Sequence, residues 1–419
     1  MQALEIIGEN TLSGVINIGG AKNDIVSLMP AALLSDEACS IHNIPQIDDV
    51  NAILSIFTFL GVTYNRQEEQ IVINNQSMEN KPILENIAGK FRASYYFMGV
   101  LLTKFKSVEI ALPGGCKIGS RPIDLHLKGF EALGAKIKYS KGQVNINAEE
   151  LVGAEIYLDF PSVGATINIM FASVKASGKT IIDNAAREPE IVNVANFLIK
   201  MGAKISGAGT STIIIEGVDY LRSATHEVIP DRIEAGTYLI MGALIGKELT
   251  INNIIPEHLN SLILKLQEIG AKLVINQDSI TITAADYYKA CDIYTAVYPG
   301  FPTDLQQPFL TLLTQCHGYA KIEENIYESR FQNATYLNEM GAKIKVEGHS
   351  AFVEGPSKLF GASVIATDLR AGACLVLAAL IAKGTTIIID IEHILRGYEK
   401  IVEKLSAVGA NIKIIDYQG

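Results

Sequence analysis

Residues 112–122 read Leu-Pro-Gly-Gly-Cys-Lys-Ile-Gly-Ser-Arg-Pro. Three glycines and two prolines keep this stretch out of regular structure and open positive φ to it. At its centre the Cys116 thiol has Lys117 beside it and Arg121 five residues on. Cationic neighbours favour a thiolate and pull a cysteine pKa below its usual value of about 8.5. A thiol in that setting can donate a proton or attack an electrophile; the plain alternative is an incidental cysteine in a turn.

The elements that must position this loop repeat along the chain. A helix-like run, a glycine break and two strand-like runs recur at Leu60-Gly61-Val, Leu133-Gly134-Ala, Met201-Gly202-Ala, Ile269-Gly270-Ala, Met340-Gly341-Ala and Val408-Gly409-Ala. The glycines are 73, 68, 68, 71 and 68 residues apart, so the chain reads as six related units. Each glycine falls where a helix should end in a left-handed cap. The residues after it alternate with period two, as in Ala135-Lys-Ile-Lys-Tyr139 and Gln143-Val-Asn-Ile-Asn147, which predicts a β-hairpin. Each unit opens on a helix that is apolar nearly all round, expected over 24–34, 166–175, 235–245, 305–313 and 371–382. Such helices must be buried on most sides. Six units read either as two sets of three or as one long open solenoid. A chain of 419 residues exceeds one ordinary core and favours two sets.

Repeat arithmetic sorts the basic residues. Arg121 and Arg396 each lie 13 residues before a break glycine, and Lys22 and Arg370 each lie 39 before one. Basic groups thus return at two equivalent loop positions, next to helix starts whose free N–H groups and dipole favour anions. Asp304 is an acid in this class. It either caps its helix or takes a proton from a substrate hydroxyl. Asp24 and Thr166 are expected to be ordinary N-caps. His126 is expected to orient the cysteine loop, and Arg187 to sit in a structural ion pair; Arg330 is left open between pairing and function.

Composition narrows the classes. Net charge is −10, from 35 Lys and Arg against 45 Asp and Glu, and there is no dense basic tract, which argues against nucleic acid as partner. No apolar run approaches the ~18 residues of a membrane span, and the N-terminus lacks the basic start of a signal peptide. Five irregularly spaced cysteines suit a reducing cytoplasm and offer neither a disulfide framework nor a metal site. Cys39, Cys291, Cys316 and Cys374 are expected to be inert thiols beside apolar runs.

These residues together resemble the UDP-N-acetylglucosamine 1-carboxyvinyltransferases, an enolpyruvyl transferase family of peptidoglycan synthesis. The resemblance runs over essentially the whole chain. It is carried by Gly20-Ala-Lys22-Asn23, Phe91-Arg92-Ala-Ser94, the loop from Leu112 through Cys116 to Leu125, Ser162-Val-Gly-Ala-Thr166, Asn184-Ala-Ala-Arg-Glu-Pro-Glu190, Pro230-Asp-Arg-Ile-Glu234, Phe301-Pro-Thr-Asp304, Ala366-Thr-Asp-Leu-Arg370 and Arg396-Gly-Tyr-Glu399. It implies an inside-out α/β barrel fold of two domains, each of three βαβαββ repeats. Residues 22–229 would form one domain, and 1–21 with 230–419 the other, with the active site in the cleft between them. The implied reaction is the first committed step of peptidoglycan synthesis. It moves the enolpyruvyl group of phosphoenolpyruvate to the 3-hydroxyl of UDP-N-acetylglucosamine and releases phosphate, without cofactor or metal.

By motif, Cys116 would be the general acid and the site of a covalent adduct. Lys22, Arg121 and Arg396 would hold phosphoenolpyruvate, and Asn23 would place the intermediate. Asp304 would be the base toward the sugar hydroxyl. Arg92, Arg121, Pro122, Ile123, Asp124, Leu125, Ser162, Val163, Gly164, Asp304 and Ile326 would bind the nucleotide sugar, with Asp368 and Arg370 helping closure. The chain departs from the pattern at Asp159-Phe-Pro161, where some members place a lysine. Two rivals remain: a transferase acting on shikimate 3-phosphate, and a non-catalytic, repeat-built anion binder. The first fits the long cysteine loop poorly, and the second has no use for Cys116 and Asp304 together.

Overall fold

The six break glycines all adopt positive φ, from +75° at Gly61 to +111° at Gly341. A residue with Cβ pays a steric penalty there, and glycine does not. Five of the six hairpins follow as expected, as where Lys136–Ser140 pairs antiparallel with Gln143–Asn147; after Gly409 the described residues hold one strand only, Asn411–Asp416, and its partner is Gln2–Ile7. A computed structural model of the chain describes residues 1–88, 92–111, 123–140 and 142–417.

The described strands form six separate sheets, five of four strands and one of three, and no closed sheet. The four-stranded sheets share one order. In one of the two four-stranded sheets built from consecutive sequence, Glu155–Tyr157 lies parallel to Lys179–Asp183, which pairs antiparallel with Thr212–Glu216, which pairs antiparallel with Lys204–Ser206. Three sheets complete the same order with a strand from far along the chain. Thr225–Glu227 lies parallel to Cys39–His42, and Leu12–Asn17 lies parallel to Gly246–Asn252. Gln2–Ile7 inserts between Thr385–Ile389 and Asn411–Asp416. Glycine spacing alone could not reveal these exchanges, because a strand's partner is set by cross-strand burial and not by its distance along the chain.

Behind the sheets lie six helices buried on almost every side: Lys22–Ala32, Tyr96–Phe105, Val163–Ser173, Arg232–Ile245, Thr303–Leu313 and Leu369–Ile381. In Leu369–Ile381 every residue from 370 to 380 is buried. Several of these helices begin two or three residues before the apolar run that predicts them, because the run starts only after the first turn. Tyr96–Phe105 and Val163–Ser173 approach so closely that a Cβ on Gly99 would lie 2.5 Å from the Asn168 carbonyl oxygen. The second helices are amphipathic; Asp48–Phe59 buries Val50, Ile53, Leu54, Ile56 and Phe57 and exposes its other face.

The chain divides into two compact units, one comprising Met1–Gly19 with Pro230–Gly419, the other the described part of 20–229. Each has its own core. Leu4, Tyr238, Phe309 and Tyr398 belong to the first, and Ile25, Phe97, Phe130 and Phe197 to the second. Two separate cores do not fit an open solenoid, in which each repeat packs only on its neighbours. Among the described residues no helix is long and apolar enough to cross a membrane, and no cluster of potential metal ligands forms.

Candidate active site

In the unit holding Pro230–Gly419, three charged side chains meet. Asp304 lies in the first turn of Thr303–Leu313, whose N-cap position is Pro302. It is therefore not the cap. Its Oδ1 accepts from Arg330 Nη2 at 2.6 Å, and its Oδ2 from Arg370 Nη2 at 3.2 Å. The Asp304 side chain keeps 26% of its surface exposed, while those of Arg330 and Arg370 keep 3% and 5%. The carboxylate is thus the outward member of a group whose two cations lie behind it. Burial works against the charge of each guanidinium, but Asp304 opposes it, and both remain more strongly protonated than usual.

Each arginine is fixed by more than the carboxylate. Arg370 also donates to the Tyr398 hydroxyl at 3.2 Å and lies 5.6 Å from its ring centre. Arg330 donates through Nη1 to Thr303 Oγ1 at 2.7 Å and lies over the Tyr327 ring. Arg370 owes its helix start to Asp368, whose Oδ1 accepts from the Arg370 and Ala371 amides. Asp231 caps Arg232–Ile245 in the same way. Arg396 ends the short helix Glu392–Leu395 and precedes Ile401–Ala407 by five residues. It is therefore not at the start of the second helix, as the repeat arithmetic implied. The reason is a one-turn helix that the glycine spacing does not register. Ile326 follows the buried Glu324, whose Oε1 accepts from the Ile326 amide at 2.9 Å.

In the other unit Lys22 opens Lys22–Ala32 and pairs with the buried Asp49 at 3.1 Å. A lysine in a first turn opposes the helix dipole, and Asp49 offsets that cost. Asn23 follows it on the same turn. Asp24 is not a cap; its Oδ2 accepts from Asn193 Nδ2 and the Ile229 amide. Thr166 is not a cap either, since the cap of Val163–Ser173 is Ser162, which accepts from Ala165 N. Thr166 instead accepts from the Ala186 amide.

His126 is buried behind this helix start. The Asn168 amide orientation is set by Gly99, whose N–H donates to Asn168 Oδ1 at 2.8 Å. Asn168 Nδ2 must then donate to His126 Nδ1 at 3.0 Å, so that nitrogen is an acceptor and the ring is neutral. Burial pushes the His126 pKa down to about 3. Such a ring is a wedge and not an acid; the cysteine loop it is expected to orient lies outside the described residues. Gly164 is required beside it: a Cβ there would lie 2.9 Å from His126 Cε1 and 3.0 Å from Tyr95 Cε2. Ile123 is buried, and Asp124 and Leu125 open Asp124–Ala132, Asp124 exposed. Arg92 opens the 3-10 turn Arg92–Tyr95. Cys116, Arg121 and Pro122 lie outside the described residues.

Two further expectations meet the structure differently. Arg187 is exposed and makes no ion pair among the described residues, because its loop turns it to solvent. Cys39, Cys291, Cys316 and Cys374 are buried free thiols, and burial raises the last three to about 11, 12 and 11. Their burial is what the expectation of core thiols required.

The family model described as EPSP synthase (3-phosphoshikimate 1-carboxyvinyltransferase) matches residues 6–405. The chain belongs to this family of enolpyruvyl transferases. Within the family it is 52% identical to UDP-N-acetylglucosamine 1-carboxyvinyltransferase 2 of Bacillus anthracis, over 98% of this chain and 96% of that protein. It is 51% identical to the protein of the same name from Listeria monocytogenes, over 98% and 97%. Among solved structures it resembles the enolpyruvyl transferase NikO from Streptomyces tendae, with a TM-score of 0.91 at 25% identity over 100% and 99% of the two chains. EPSP synthase from Acinetobacter baumannii matches with a TM-score of 0.77 at 17% identity, over 99% and 100%, which shows the fold alone. The transferase fold is therefore the mixed α/β one of these relatives.

Sequence reasoning missed Glu324, Asp49 and Asn168. None belongs to a quoted motif, and each acts by fixing another side chain. Arg330 was visible as an arginine in a loop, but its partner 26 positions away was not.

Proposed function

We propose that this protein transfers the enolpyruvyl group of phosphoenolpyruvate to the 3-hydroxyl of UDP-N-acetylglucosamine, with release of phosphate. The observation that carries this reading is the 52% identity, over nearly the full length of both chains, to proteins named for that reaction. The Asp304–Arg330–Arg370 group supports it, since a carboxylate backed by two buried cations suits a substrate that brings both a hydroxyl and negative charge. We assign the two compact units to the two domains of the fold, 22–229 and 1–21 with 230–419, each an inside-out arrangement of three βαβαββ repeats.

Three tasks must be done. The methylene carbon of phosphoenolpyruvate takes a proton so that the sugar oxygen adds at its neighbour, and gives one back as the bond to phosphate breaks; the sugar hydroxyl loses its proton; and the anionic groups are held away from water. Cys116 supplies the first proton and can instead attack the electrophilic carbon, forming a covalent adduct. Lys22, Arg121 and Arg396 hold the phosphate and carboxylate, and Asn23 orients the intermediate. Asp304 takes the hydroxyl proton through Oδ2, the oxygen on its longer bond. Arg92, Arg121–Leu125, Ser162–Gly164 and Ile326 hold the nucleotide sugar. Asp368 and Arg370 complete the site.

The test is phosphate release from phosphoenolpyruvate with UDP-N-acetylglucosamine or shikimate 3-phosphate as acceptor. Release with the nucleotide sugar alone is expected. Release with shikimate 3-phosphate alone would overturn the substrate assignment and keep the fold.

A further inference from the structure

Glu324 is a carboxylate with 1% of its surface exposed, one residue past the strand Gly318–Glu323. It has no place in the reaction as assigned above, yet every donor around it is turned toward it. Oε1 accepts from Thr295 Oγ1 at 3.0 Å and from the amides of Ile326 and Tyr327 at 2.9 and 3.1 Å. Oε2 accepts from Thr303 Oγ1 at 2.9 Å. The Thr295 hydroxyl already accepts from the Asn325 amide at 2.8 Å, so its own proton is free to point at Glu324.

The Thr303 arm has a direction. A hydroxyl has one proton to give. With that proton committed to Glu324, the lone pairs of Thr303 Oγ1 face the Arg330 Nη1 donor at 2.7 Å. The guanidinium is planar, so fixing Nη1 also fixes Nη2, which meets Asp304 Oδ1 at 2.6 Å. Gln307 Nε2 donates to the Arg330 carbonyl and holds the other end of the residue. A chain of polarised hydrogen bonds thus runs from Glu324 through Thr303 and Arg330 to the outward carboxylate. The same Glu324 also holds the turn carrying Ile326.

We propose that Glu324 is a positioning residue for the transfer reaction: through Thr303 and Arg330 it sets the orientation of Asp304, and through two amides it sets the loop of Ile326. The proposal rests on the functional reading above. Its two arms are separable by substitution. In Glu324→Gln the amide oxygen can keep the Thr295, Ile326 and Tyr327 bonds. Its NH2 then donates to Thr303, whose oxygen accepts from both that NH2 and Arg330 and whose own proton must turn away from both, so the polarised link from a carboxylate to Arg330 is lost. Thr303→Val deletes the link outright, and Thr303→Ser retains the hydroxyl.

The experiment is steady-state phosphate release with phosphoenolpyruvate and UDP-N-acetylglucosamine for wild type, Glu324→Gln, Thr303→Val, Thr303→Ser and the Glu324→Gln/Thr303→Val double variant. Folding of each is checked by thermal melting. Misorienting a reacting group by a fraction of an ångström to one ångström lowers kcat by about 10- to 100-fold. That loss is expected in Glu324→Gln and Thr303→Val, with KM for the nucleotide sugar changed less than about threefold, because the Ile326 arm survives. Thr303→Ser is expected to restore most of the rate. The double variant is expected to be no worse than the poorer single variant, because both break one link. A folded Thr303→Val with wild-type kcat, or losses that multiply in the double variant, would overturn the proposal alone. A wild-type protein that releases no phosphate would overturn it together with the functional reading.

Discussion

Lowering the pH from 7.5 to 5.0 should weaken one unit of this protein and not the other. His126 and His226 both belong to the unit within 20–229, and both are held neutral. His126 accepts from Asn168 at Nδ1, so a proton placed there would face another donor. His226 donates from Nε2 to the Asn193 side-chain oxygen at 2.9 Å, stacks on Phe197, and buries Nδ1 with no hydrogen-bond partner among the described residues. Burial is the main cause of both depressed values, about 3 and about 4, against 6.5 for the free group. A histidine whose folded pKa is depressed binds its proton more readily when the chain unfolds. The stability it protects is complete above pH 6.5 and is lost as pH falls toward the folded pKa. At pH 5.0 each histidine then costs about 2 kcal/mol, and the pair about 4 kcal/mol.

The other unit should move in the opposite sense. Glu234 is buried, and burial pushes its pKa up to about 7 against the pull of Lys404, whose Nζ is 2.6 Å away. A raised carboxyl pKa favours the folded state below it and costs stability as pH rises through it, so acidification relieves this unit. Amide hydrogen exchange reads the two separately once intrinsic rates are corrected for pH. The slowest amides of Val163–Ser173 and Pro189–Met201 should lose about 10³-fold in protection at pH 5.0, and those of Arg232–Ile245 and Leu369–Ile381 should not. His126→Asn keeps an acceptor near Nδ1 and cannot titrate, so the pH-dependent loss should fall by half whatever its absolute cost. Equal losses in both units, or a loss unchanged by His126→Asn, would refute the reasoning.

Three further outcomes follow from the same geometry. Gly164→Ala should cost about 1–3 kcal/mol by crowding His126 and Tyr95, and raise KM for the nucleotide sugar. Gly202→Ala meets nothing within 4 Å and should cost about 1–2 kcal/mol from its φ of +109° alone, with kinetics unchanged; urea titration measures both glycine variants. Arg370→Met removes a buried cation from Asp304 and Tyr398 and should cost about 3–5 kcal/mol by urea titration, with a fall in kcat. Cys116→Ala should bind UDP-N-acetylglucosamine normally by calorimetry and release no phosphate; normal turnover would remove the cysteine from its acid role.

What could be read from the sequence was what glycine and local periodicity control. Gly61, Gly134, Gly202, Gly270, Gly341 and Gly409 marked the helix ends because a φ of +75° to +111° strains any residue that carries a Cβ. The buried helices showed themselves by being apolar on all faces. The pairing of Gln2–Ile7 with Asn411–Asp416 left no trace, because its determinants lie at opposite ends of the chain. At the site, motif residues such as Lys22, Asp304 and Arg370 could be named, but not their partners. Asp304 could be taken for a cap because Pro-Thr-Asp before a helix has that form. The approach of Arg330 and Arg370, 26 and 66 positions away, is what the sequence could not show. His126 was ambiguous for a related reason: burial keeps it neutral, and which ring nitrogen accepts is decided by Gly99, which acts through Asn168.

The pairing of Asp304 bears on how a base can work in this site. A carboxylate with both oxygens bonded to guanidinium groups is a poor proton acceptor, because opposite charge stabilises its ionised form. The two bonds are unequal. Arg330 meets Oδ1 at 2.6 Å and is itself tied to Thr303 and Tyr327, whereas Arg370 meets Oδ2 at 3.2 Å. On the proposed function, an anionic substrate group that engages Arg370 competes with Asp304 for it and releases Oδ2, while Arg330 keeps the carboxylate aimed. On that reading the base would become competent when the negative charge of the substrate arrives, and the two cations would have different tasks, one to orient and one to yield.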